Sequence, residues 1–120
     1  MTTEAKAKKH YDLEERTFRF ARSVFDFIGV LPKTIVNTEI TKQVVRSSGS
    51  VGANYIEANE ALSKKDFAFR IKVCRKEAKE TLYWLKLLDV KGKPTSQQQV
   101  LIDEITELMK IFGSIIEKVK

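Results

Sequence analysis

Residues 63–90 read SKKDFAFRIKVCRKEAKETLYWLKLLDV, and they sort onto three faces of one helix. At about 100° per residue, Phe67, Ile71, Cys74, Ala78, Leu82 and Leu85 share one sector, the width of an ordinary bundle core. Phe69, Val73, Trp84 and Leu87 form a second apolar sector roughly a third of a turn round. Lys65, Lys72, Lys76, Lys79 and Lys86 lie within about 80° of one another on the remainder, with Arg75 at their edge. Ser63 to Asp66 has the Ser-x-x-acid form of a capping box and sets the start. The Lys91-Gly92-Lys93-Pro94 turn closes the helix after about Val90.

The segments on either side carry the same period. From about Asp12, the positions Phe18, Ala21, Phe25 and Ile28 run beside Phe20, Val24, Phe27 and Leu31, an apolar face wider than one core contact needs. Pro32 ends that helix, because the residue before a proline avoids the α region. A second helix is predicted from Asn37 or Thr38, either a plausible N-cap, to about Leu62, with Ile40, Val44, Val51, Tyr55 and Ala58 inward. Its middle holds Ser47, Ser48, Gly49, Ser50, Gly52 and Ala53. Glycine inside a helix costs about 1 kcal/mol relative to alanine, so this run reads either as a break or as a place where a neighbour approaches closely. A fourth helix follows a Ser96–Gln99 capping box and carries Leu101, Ile105, Leu108, Phe112, Ile115 and Val119. Four helices with short connections predict an all-α, antiparallel up-down bundle over residues 12–120, preceded by a disordered polar tail over 1–11.

The chain has 120 residues, enough for one core. It is 42% hydrophobic and 32% charged, too apolar for a disordered chain, and its five glycines and two prolines are too few for an all-β one. No run of about eighteen apolar residues is present, which argues against a membrane span, and residues 1–16 lack the apolar core of a secretory signal. The single cysteine, Cys74, fits a reducing compartment, so a cytoplasmic location is expected. One histidine, His10 in the polar tail, supplies no nucleophile–histidine arrangement. Glu77-Ala78-Lys79-Glu80 lacks the histidine of a di-iron motif, and Gly49-Ser50-Val51-Gly52 lacks the lysine and spacing of a phosphate-binding loop. Glu77 and Glu80 admit acid–base work in principle and read more simply as ion-pair partners. No enzyme activity, cofactor, metal or small-molecule substrate is expected.

Charge is unevenly spread. The net charge is +6, yet residues 64–93 alone carry ten basic and four acidic side chains, while the rest of the chain is balanced at twelve of each. The lysine stripe can be a solvated face, a surface for an acidic partner, or a nucleic-acid contact made by Lys65, Lys72, Arg75, Lys76, Lys79 and Lys86, with Tyr83 available for base stacking. Nothing in it reads sequence in a groove. The second apolar sector is either a core that wraps round the helix or a subunit interface formed by Phe69, Val73, Trp84 and Leu87.

One stretch carries a family resemblance. Val45-Arg46-Ser47-Ser48-Gly49-Ser50-Val51-Gly52-Ala53-Asn54-Tyr55-Ile56-Glu57-Ala58, followed by Ser63-Lys64-Lys65-Asp66-Phe67, Lys76-Glu77-Ala78-Lys79-Glu80-Thr81 and Tyr83-Trp84-Leu85, resembles the signature of the 23S ribosomal RNA intervening-sequence proteins. The match is strong from about Val44 to Leu88 and elsewhere rests on length and helix pattern; Leu13 to Thr17 stand where members often carry a tryptophan. The resemblance implies a continuous second helix and a bundle assembling as a homopentameric ring. It also implies kinship in fold with the accessory protein of diversity-generating retroelements, a basic pentamer that binds nucleic acid. Carried onto this chain, Arg46, Asn54, Glu57, Asp66, Lys76, Glu77 and Glu80 become a polar network between the second and third helices. The expected function is a non-enzymatic homo-oligomer that binds RNA or DNA; the alternative is a protein–protein scaffold without nucleic-acid binding.

Overall fold

A computed structural model describes residues 2–91 and 95–120, with side chains described for 13–91 and 96–120. Four helices follow one another: α1 (Thr2–Gly29), α2 (Ile35–Asn59), α3 (Lys64–Leu87) and α4 (Thr95–Lys118). Their connections, residues 30–34, 60–63 and 88–94, are too short for anything but antiparallel neighbours. The packing is cyclic: α1 lies against α2 and α4, and α3 against α2 and α4, with the α2–α3 contact the most extensive. No strand is present among the described residues.

Each helix contributes one stripe at three- and four-residue spacing. Phe20, Val24 and Phe27 from α1 meet Val44, Val51 and Tyr55 from α2, Ile71, Cys74 and Leu85 from α3, and Ile105, Leu108 and Phe112 from α4. Only one of the two apolar stripes on α1 is core. Phe18 stays 64% exposed and Phe25 37% exposed.

Helix α2 is continuous through its serine–glycine run, which closes the alternative of a break. Ser47 and Ser48 are fully buried there. The Thr81 hydroxyl donates to the Glu77 carbonyl at 2.8 Å and lies 2.8 Å from Ser47 Oγ, whose own proton can complete that contact, so the small polar layer is satisfied without water. The two glycines of the run differ. A Cβ on Gly52 would fall 2.8 Å from Thr17 Oγ1, so the close approach of α1 requires glycine at that position. A Cβ on Gly49 would meet nothing within 4 Å.

The helix ends depart from the sequence expectations where long-range bonds decide them. Ser63 caps α3 as expected, its hydroxyl accepting the Asp66 N–H at 3.0 Å. The N-cap of α2 is Thr34 rather than Asn37 or Thr38, with its side chain accepting the Asn37 N–H at 3.1 Å. Asn37 is instead buried: its amide donates to the Pro32 and Asp89 carbonyls at 2.9 and 2.8 Å, and its Oδ1 accepts the Asp89 N–H at 2.9 Å. Helix α3 stops at Leu87, short of Val90, and Gln98 donates to the Leu85 carbonyl at 2.8 Å to close its end. Ser96 lies inside α4, which starts at Thr95, so it is not the cap that the sequence pattern predicts; residues 92–94 are outside the described set. Helix α1 starts at Thr2, ahead of Asp12; side chains of residues 1–12 are outside the described set, and the disorder of 1–11 remains an expectation.

Candidate functional site

The lysine side of α3 faces solvent beside α4, and the two helices enclose a groove of about 510 Å³. Lys72, Arg75, Lys76 and Lys79 of α3 and Lys120 beyond α4 line it, with Met109 and Ile116 also in the lining and Glu117 as its single acid. Glu117 is already engaged by Lys120 at 3.2 Å, and Lys76 Nζ lies 3.9 Å from Glu77 Oε2. Among the described residues no carboxylate comes within ion-pair distance of Lys72, Arg75 or Lys79. Arg75 reaches toward α4, where a Cβ on Gly113 would sit 4.0 Å from its guanidinium, an ordinary van der Waals contact.

The remaining residues of the stripe stand outside this groove. Lys65 and Lys86 are exposed in the first and last turns of α3. Tyr83 is 59% exposed and packs edge-on to Trp84, with ring centroids 5.1 Å apart. Lys120 was not legible as a groove residue, because its place depends on how α4 packs and not on any spacing in α3.

The second apolar sector is divided. Phe69 and Leu87 are exposed, at 56% and 45%. Val73 and Trp84 are half-buried, Trp84 packing against the core, and its indole N–H donates to Glu80 Oε1 at 3.3 Å. The exposed edge of the sector is therefore Phe69 and Leu87, and Trp84 is partly a core residue. Arg70 lies over the Phe69 ring, 5.8 Å from its centroid, a contact the sequence reading did not anticipate.

Between α2 and α3, Arg46 donates to Glu80 at 2.5 Å and lies 3.3 Å from Glu77 Oε1. The hydrogen bond to Arg46 holds the Glu80 carboxyl below its ordinary range. The Glu77 contact is electrostatic only: that buried oxygen has no hydrogen-bond partner. Asn54 is engaged elsewhere, donating to the Ser50 carbonyl at 2.9 Å and accepting from Arg70 at 3.1 Å. Glu57 and Asp66 are exposed, and their side chains do not reach Arg46. The network is thus Arg46, Glu77 and Glu80, extended by Trp84, with Lys76 at its edge. Across the bundle, Arg16 of α1 grips Glu104 of α4 through two bonds of 2.7 and 2.9 Å, a tie for which the sequence offered no signal.

Among the described residues no group of three metal-ligating side chains comes together, and no helix is long and apolar enough to cross a membrane. The arrangement defines a four-helix bundle with a basic groove on one face. The chain belongs to the family of 23S rRNA-intervening sequence proteins, whose model matches residues 9–114. It is similar to a crystallised protein of unknown function from the S23 ribosomal protein family of Bacteroides thetaiotaomicron, at 33% identity and a TM-score of 0.72, covering 87% of this chain and 97% of that one. No curated protein matches the chain.

Proposed function

We propose that the protein is a self-associating, non-enzymatic nucleic-acid-binding protein that holds a phosphate backbone in the α3–α4 groove. The observation that carries this reading is the convergence of Lys72, Arg75, Lys76, Lys79 and Lys120 on one groove with a single acid. Closely spaced cations of one sign attract a polyanion and displace its counterions, a gain that needs no base-specific contact. A merely solubilising face would alternate acids with its lysines, and this groove is lined by Glu117 alone against five cations. The exposure of Phe69 and Leu87 supports self-association, which would bring several grooves onto one assembly and raise the charge density.

The test is a low-salt binding titration with a mixed-sequence RNA and DNA oligonucleotide pair. Reversing Lys72, Lys76, Lys79 and Lys86 together to glutamate removes binding, while the helical content stays unchanged. Binding that survives the reversal, or its absence from the unaltered protein at low salt, overturns the reading. A protein recovered from cell extract on the unaltered chain, with no nucleic acid, supports the scaffold alternative instead.

A further inference from the structure

A second uncovered apolar surface lies on the opposite side of α2 from the α3 sector. Phe18 and Phe25 of α1 and Ile56 of α2 wall a cleft of about 290 Å³ whose lining includes Gly49 and Ala53. Its walls are bare: Phe18 is 64%, Phe25 37% and Ile56 51% exposed. Gly49 leaves it open, since a Cβ there meets nothing within 4 Å. No contact among the described residues accounts for that glycine.

We infer that this α1–α2 cleft seats the Phe69–Leu87 ridge of α3 from a second copy of the chain. The inference rests on the self-association proposed above and names the surface that receives it. Three observations converge. First, the molecule has two bare apolar faces on different sides. A contact of like with like covers one and leaves the other in water, whereas ridge-to-cleft contact covers both with one interface. Second, the shapes match: one surface is concave and opened by a glycine, and the other is a convex helix edge carrying an aromatic ring. The ridge spans 19 residues, about 27 Å, against eight residues and about 11 Å for the α2 wall of the cleft, Gly49–Ile56, so one ridge fills the length of the cleft.

Third, the charges agree. Glu57 and Glu60, beside and one turn beyond Ile56, are exposed and have no ion-pair partner among the described residues. Lys65, Arg70 and Lys72 surround Phe69, against the single acid Asp66. The acidic end of the cleft is the end of α2 and the basic end of the ridge is the start of α3, joined by residues 60–63 at one end of the bundle. Acid meets base only when successive copies stand side by side in the same sense, the relation that rotation about an axis parallel to the bundle produces. Such a head-to-tail contact closes into a ring or extends as a filament. An interface of standard size buries about 800 Å² per partner, and aromatic side chains bury about 150–250 Å² each, so Phe18, Phe25 and Phe69 supply the apolar centre that such a contact needs.

Two variants and a cross-link test this. Gly49→Leu fills the cleft from a position with free space, and Phe69→Glu disables the ridge; each is expected to reduce the particle to a 13.8 kDa monomer by light scattering, with helical circular dichroism retained. Ala53→Cys and Val73→Cys chains, co-expressed and treated with a short bismaleimide, are expected to give a mixed cross-link, with none when either is expressed alone. Buried Cys74 does not compete. Cross-linking within Ala53→Cys alone, or an assembly that keeps its mass in Gly49→Leu with no mixed cross-link, overturns the inference and leaves self-association standing. An unaltered chain that is monomeric throughout overturns both.

Discussion

Gly49 and Gly52 carry the same helix-propensity cost and opposite structural duties. Gly52→Ala forces a methyl against Thr17, which is itself buried, and is expected to lower stability by about 1–3 kcal/mol. Gly49→Ala meets open space and is expected to raise monomer stability by about 1 kcal/mol, the ordinary propensity gain. Paired denaturant titrations check both signs; the same sign at the two positions contradicts the packing described. Nothing in the sequence separates these glycines, because the separating atom belongs to Thr17, thirty-five positions away. Cys74 makes a second test at this scale. It is fully buried, and burial pushes its thiol up to about 12. A thiol reagent at neutral pH is expected to leave it unmodified in the folded protein and to label it fully in denaturant.

Among the elements, the ends of α3 and α2 and the tie between them separate what local pattern specifies from what it does not. The Ser63 cap and the stop before Pro32 are local, and the sequence pattern locates both. The Asn37–Asp89 clasp and the Gln98 closure join residues 52 and 13 positions apart, so no window of sequence contains them. Asn37→Ala is expected to cost about 2 kcal/mol, because it leaves the Asp89 N–H and C=O unpaired in a part-buried site. The Arg46–Glu80 bond adds a pH signature. Glu80 titrates lower in the folded chain than its ordinary 4.5, so its stabilising share is present above that value and fades as pH falls through the folded value. Glu80→Gln is therefore expected to lose less melting temperature than the unaltered chain between about pH 6 and about pH 3. Equal losses contradict a role for that bond in stability.

For the whole molecule, the bundle was legible because four amphipathic periods and three short connections leave one simple packing. The basic surface was legible in part. The α3 lysines follow from helical spacing, but the groove also takes Met109, Ile116 and Lys120 of the α4 segment, which only tertiary packing brings to them. The apolar sector on α3 is divided by the packing, which half-buries Val73 and Trp84 and leaves Phe69 and Leu87 as the bare edge. On the proposed function, this groove binds a phosphate backbone through its cations. The most direct measurement is the dependence of oligonucleotide affinity on salt. Five groove cations predict a slope of log K against log salt of about −3.5 for a single strand and about −4.5 for a duplex, or steeper if several grooves share one ligand. A slope near zero, or no binding at low salt, contradicts the account.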